Sequence, residues 1–150
     1  MNTRTPHRED LALVLALLRS HQVFHRAIGP VFRSAGLTSS QWDVLETLHT
    51  KGPLSINDLM RSILSTSGSL DVVIKNLIQS GLVEKTPDER DRRSRVVTLT
   101  KAGTAKVSGF MPDHNQALAQ IFDRLTISEK RACIKVLNRL RRKLPQPTKD

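Results

Sequence analysis

Apolar side chains recurring at steps of three and four at both ends of the chain constrain its fold more than any other feature. In the first thirty-odd residues the positions 11, 14, 18, 21, 25, 28 and 32 are Leu, Val, Leu, His, His, Ile and Phe, one stripe of a helix with two histidines set into it. A second stripe runs through Val107, Met111, His114, Leu118, Ile121 and Leu125, and a third places Cys133, Leu137, Leu140 and Leu144 on one side of a last helix. Between these helices the period changes to two: Leu82 to Thr86 and Arg95 to Thr100 are predicted as short strands. The expected class is mainly α with a small β-hairpin.

Capping signals divide the middle. Thr38-Ser39-Ser40-Gln41 is a capping box, followed by a helix that turns Trp42, Leu45 and Leu48 inward and stops at Gly52-Pro53. Ser55-Ile56-Asn57-Asp58 opens a short helix to about Ser62, and the polar break Ser65-Thr66-Ser67-Gly68 precedes another that ends at Ser80-Gly81. Thr126-Ile127-Ser128-Glu129 restarts the last helix. Gly29-Pro30 is expected to kink or interrupt the first helix, and Pro112 to bend a later one. Residues 38–100 form a small unit that cannot bury the stripes of both ends. These stripes are expected to pack on each other and on a second copy of the chain, with 8–34 and 104–144 as dimerising helices of a single 1–150 domain.

The chain carries 24 Lys and Arg against 14 Asp and Glu, a formal net charge of +10, so an acidic partner is expected. Nucleic acid is the first candidate and an anionic membrane surface the second. The apolar run Leu11–Leu18 is too short to span a bilayer and lacks a cleavage site, and is read as the buried side of a helix in a cytoplasmic protein. The single cysteine, Cys133, excludes an internal disulfide and, on an apolar stripe, is expected to act as a small hydrophobe. A phosphate loop, a nucleophile elbow and a zinc-protease motif are all missing from the sequence, so no enzyme and no cofactor is expected.

Two helices joined by a polar turn, with a basic hairpin behind, suit double-stranded DNA: the second helix fits the major groove and the hairpin loop reaches the minor groove. Leu70, Val73, Ile74 and Leu77 share the inward face of that helix, which leaves Ser67, Ser69, Asp71, Val72, Lys75 and Asn76 outward. The serines suit phosphates or base edges, Asp71 a cytosine amine, Val72 a thymine methyl, and Lys75 a guanine or phosphate. The loop crowds Arg90, Arg92, Arg93 and Arg95 together. A charge run is commonly only a solvated face, but its place directly after the helix pair favours DNA.

The chain resembles the MarR family of bacterial regulators, through LTSSQWDVLETL at 37–48, SINDLMRSI at 55–63, SGSLDVVIKNLIQSGLV at 67–83 and DERDRRSRVVTLTKAG at 88–103. The last is the most specific, since Asp91, Arg93, Leu99, Thr100 and Gly103 fill the family's wing pattern. The resemblance implies a winged helix-turn-helix in an obligate dimer joined by its terminal helices, with Arg93 entering the minor groove and Asp91 bracing it. Val72 stands where relatives often have a basic residue and Asp71 where threonine is common, so the operator does not carry over. Family members commonly bind small aromatic or phenolic effectors between the dimerising helices and the DNA-reading lobe; His21, His25, Trp42, Phe110 and His114 are the candidates here. The histidine spacing also permits a metal, although no acidic or thiol ligand lies nearby in sequence, and hydrogen-bonded interfacial histidines are the simpler reading, so no metal site is assigned. The expected function is a repressor released from a palindromic operator by such an effector. The alternatives are a ligand-blind DNA-binding or architectural protein, a metal-sensing regulator, and an enzyme using the histidine cluster.

Overall fold

The computed structural model describes residues 7–63, 67–89, 91 and 93–143. Its elements run α1 (Arg8–Ser34), α2 (Ser39–Lys51), β1 (Leu54–Ser55), α3 (Ile56–Ser62), α4 (Ser67–Gln79), β2 (Val83–Pro87), β3 (Arg95–Leu99), α5 (Lys101–Ile121) and α6 (Ile127–Lys143). This is a mainly helical winged helix-turn-helix with a three-stranded antiparallel sheet. β3 is the central strand, and β1 pairs with it through Leu54–Val97 and Ser55–Val96. β1 has no sequence signal, because two residues cannot display a period. Val83–Leu99 and Lys85–Val97 set the register of the β2–β3 wing.

The caps form as their sequences dictate. Thr38 Oγ1 accepts from the Gln41 amide at 3.1 Å while the Gln41 side chain accepts from the Thr38 amide at 2.9 Å. Ser55 and Thr126 cap α3 and α6 in the same way, with Glu129 returning to Thr126. Two expectations need correction. The interruption allowed at Gly29-Pro30 does not occur, since α1 runs through Pro30, and α5 continues through Pro112, where a bend and no end is expected. Both prolines are exposed, so the carbonyl that loses its amide partner faces water, while Ile28 and Phe32 anchor α1 on its other side. In addition, Ser67 and Gly68 belong to α4 and not to the break before it.

The core joins α2, α3, α4 and the sheet to the inner faces of α1 and α5. Val44, Leu45, Leu59, Leu70, Ile74, Leu77, Val83, Val97 and Val107 are fully buried, with Ile28, Phe32, Trp42 and Phe110 closing its rim. The Leu11–Leu18 run, read from sequence as buried, is exposed in the single chain: Leu11 is 56% and Leu18 62% accessible. Ile134, Leu137 and Cys133 on α6 are exposed as well. Among the described residues, none covers them. Among the described residues, no helix is long and apolar enough to cross a membrane.

One junction sets the angles between elements. α4 ends on Gly81, whose φ of +70° only glycine adopts without strain, and the Leu82 amide reaches back to the Leu77 carbonyl at 2.9 Å. Thr100 then ties this turn to α5. Its hydroxyl donates to the Gly81 carbonyl at 2.7 Å and accepts from the Gly103 amide at 3.0 Å, while its own amide donates to the Leu82 carbonyl at 3.1 Å. Gly103 is buried here, and a Cβ on it would lie 2.0 Å from the Leu82 carbonyl oxygen. Gly103→Ala is therefore expected to force α5 from the wing and to destabilise by roughly 2–3 kcal/mol, lowering Tm by several degrees in a thermal melt. An unchanged Tm would show that the junction relaxes freely.

Candidate nucleic-acid interface

The inward face of α4 is as the spacing predicts: Leu70, Ile74 and Leu77 are buried and Val73 is half-buried. Ser69, Asp71, Val72, Lys75 and Asn76 are all exposed on the opposite side. Val72 is 59% accessible, a β-branched apolar side chain standing in water among polar neighbours. The side chain of Ser67 lies outside the described residues, as do Arg90 and Arg92.

The wing tip is organised by Asp91. Its carboxylate accepts from the main-chain amide of Arg93 at 3.0 Å, and its carbonyl accepts from the Ser94 amide at 2.8 Å. The Asp88 amide closes the turn on the Ser94 carbonyl at 3.0 Å. Asp91 thus holds the backbone from which Arg93 projects, so the aspartate orders the turn and leaves the exposed guanidinium available to a ligand. Arg95, exposed at the base of β3 opposite Pro87, extends the same basic edge.

A second cluster lies where α1, α2 and α5 meet. The Trp42 ring stands edge-on to Phe110 at 4.9 Å and lies 4.9 Å from His114, and Phe32 is 5.8 Å from both Phe110 and His114. Trp42 and Phe110 are buried and His114 is half-buried. His21 and His25 form a separate exposed pair on α1, their rings 6.1 Å apart. The structure therefore brings three of the five candidate effector residues together and sets the other two apart from them. Phe110 also contributes to an open groove of about 280 Å³ between the end of α1 and α5, with Ser34, Ala35, Lys106 and Asp113 in its wall. Among the described residues, no three His, Cys, Asp or Glu side chains are placed to share a metal ion.

Sequence reasoning did not single out Phe32, Asp43 or Glu46, all of which bear on His114. Burial holds the His114 imidazole below its ordinary pKa, against the opposing pull of Glu46 and Asp43. Burial, reinforced by Glu46, raises the Asp43 carboxyl. The two acids lie one and four residues beyond Trp42, a spacing that places Glu46 on the turn next to it.

The sequence model of the MarR family matches residues 37–94. MhqR of Bacillus subtilis, an HTH-type transcriptional regulator, is 26% identical across 88% of this chain and 91% of its own. BpsR of Bordetella bronchiseptica, whose DNA binding is regulated by 6-hydroxynicotinic acid, superposes with a TM-score of 0.81 at 26% identity over 91% of this chain and 97% of that one. In these residues and in its fold the chain is similar to the MarR family. It is a DNA-binding transcriptional regulator and not an enzyme. The E. coli MarR mutant solved with operator DNA has the same fold, with a TM-score of 0.80 at 20% identity over 95% of this chain and all of that one.

The histidine generates a prediction for this regulator. Between the lowered folded pKa of His114 and the ordinary value of 6.5 the unfolded chain binds more protons, so acid favours unfolding. The stability that neutral His114 contributes is complete above about pH 6.5 and is lost as pH falls below it. Asp43 has the opposite sign: its raised pKa costs stability as pH rises above 3.8. Thermal melts from pH 7.5 to 5.5 are expected to show Tm falling with acid, and His114→Phe, which fills the same aromatic space without titrating, to flatten that fall. A wild-type slope in the variant would assign the effect to another group.

Proposed function

We propose that the chain is a cytoplasmic homodimeric repressor, released from a palindromic operator by a small aromatic or phenolic effector. The observation carrying effector control is the Trp42–Phe110–His114 cluster, which spans α2 of the DNA-reading lobe and α5 of the terminal helices. A half-buried imidazole among aromatic rings offers a polar partner beside apolar surface, the two features that a hydroxylated aromatic acid requires. Regulation of BpsR by 6-hydroxynicotinic acid supports this ligand class. His21 and His25 complete the candidate site if the partner protomer brings them nearer. The effector must prefer the DNA-incompetent spacing of the two lobes by several kcal/mol, since equal affinity for both arrangements shifts nothing.

The exposed apolar faces of α1 and α6 support the dimer, because Leu11, Leu18, Ile134 and Leu137 together leave an apolar surface that water disfavours. A dimer sets two α4 helices about one DNA turn apart, so half-site centres about 10 bp apart are expected. In this reading α4 enters the major groove with Ser67, Ser69, Asp71, Val72, Lys75 and Asn76, while the wing with Arg90, Asp91, Arg92, Arg93 and Arg95 follows the backbone into the minor groove.

The test is selection of bound duplexes from a random pool, repeated with 6-hydroxynicotinic acid, other small aromatic acids and phenols. Selected sequences are expected to be pseudo-palindromes whose affinity falls in the presence of an active compound, and His114→Phe to blunt that response. If no compound changes DNA affinity, the ligand-blind alternative replaces this one; a divalent metal response lost in His21→Ala and His25→Ala replaces it with metal sensing. For the wing, Arg93→Ala is expected to weaken operator binding and reduce the salt slope by about one unit. Asp91→Ala should follow it closely, through loss of the turn that presents Arg93. Wild-type affinity in both variants removes the wing from the interface.

A further inference from the structure

The positive charge of this protein is not where its DNA-reading elements are. Residues 38–100 hold eight Lys and Arg against eight Asp and Glu, a formal balance of zero. The seventeen residues of α6 hold seven Lys and Arg against Glu129 alone. Glu129 is already engaged in the cap, its carboxylate accepting from the Thr126 amide and hydroxyl at 2.8 Å each. Arg131, Lys135, Arg139 and Arg142 follow one another at steps of four, four and three, which places them on one face, and all four are exposed. The stripe is about 16 Å long with neighbouring charges about 6 Å apart along the axis. Like charges at this spacing repel within a helix, and α6 supplies no other acid to relieve them. A polyanion does.

We infer that the basic face of α6 docks the phosphate backbone of a second segment of duplex DNA, while the recognition helix and wing hold the first. Duplex DNA presents one phosphate per ~1.7 Å of axis, so a stripe of this length meets several at once. Its side chains carry charge without a mixed donor–acceptor pattern, so the contact is expected to be sequence-independent. The segment is a second one because α6 makes no extended contact with α2, α3, α4 or the sheet among the described residues, whereas α1 and α5 do. A lipid surface would instead need the face of Leu137 and Leu140, which the proposed dimer buries. The inference rests on the chain's DNA binding and is independent of any effector.

The test mixes the full-length protein with donor-labelled and acceptor-labelled 30-bp duplexes of random sequence and reads energy transfer between them. Wild type is expected to bring the two duplexes together. The variant Arg131→Gln, Lys135→Gln, Arg139→Gln, Arg142→Gln keeps helix propensity and should lose the transfer, with the slope of log affinity against log salt for this DNA smaller by about three to four units. A fully lysine version of the four positions should restore both, which separates charge from folding. Sequence preference, read as the ratio of selected to scrambled duplex affinity, should persist in the glutamine variant; loss of that ratio in wild type would overturn the operator reading and leave the duplex-pairing result standing. Unchanged transfer in the glutamine variant overturns the inference. So does an affinity that depends on flank length without transfer, which puts α6 on the same duplex, or a loss confined to binding of phosphatidylserine vesicles.

Discussion

The Thr100–Gly103 junction is the constraint on which the other relations in this protein depend. One threonine closes the turn after the recognition helix, ends the wing and begins α5 with its main-chain amide and a single hydroxyl. Gly103 makes this possible by having no side chain where the Leu82 carbonyl passes. The direction of α4 relative to the wing, and of both relative to α5, is therefore set over a few residues. Hydrogen bonds, and no open linker, join α5 to the end of α4 and the wing.

This rigidity gives the aromatic cluster its mechanical meaning. Trp42 on α2 and Phe110 and His114 on α5 touch across the boundary between the lobe and the terminal helices, with Phe32 of α1 against the same rings. In the proposed effector response, a rearrangement of these rings would shift α2 against α5, and the junction would pass that shift to α4 and the wing. The partly desolvated His114, with Asp43 and Glu46 nearby, makes the same boundary sensitive to acid.

Charge and shape are divided between different parts of the molecule. The lobe supplies the recognition geometry at no net charge, while α6 concentrates cations on one face of an otherwise amphipathic helix. The proposed DNA contacts therefore fall on two surfaces of different charge, the balanced lobe and the cationic face of α6.

The sequence by itself determined the elements and their faces. Capping boxes at Thr38 and Thr126, the Ser55 cap and the period of α4 are local rules, satisfied by neighbours three or four residues away, so the helix starts and the outward set Ser69 to Asn76 were legible without a fold. Pro30 leaves α1 unbroken because the cost of its lost hydrogen bond depends on whether the freed carbonyl faces water, which is a tertiary fact. The two-residue β1 was invisible because it exists only as an addition to the edge of β3. Only the tertiary structure decided that His114 joins Trp42 and Phe110 while His21 and His25 stay apart, and that among the described residues the Leu11–Leu18 run finds no cover. Each depends on contacts between residues far apart in sequence, and no local period encodes which distant surface will be opposite.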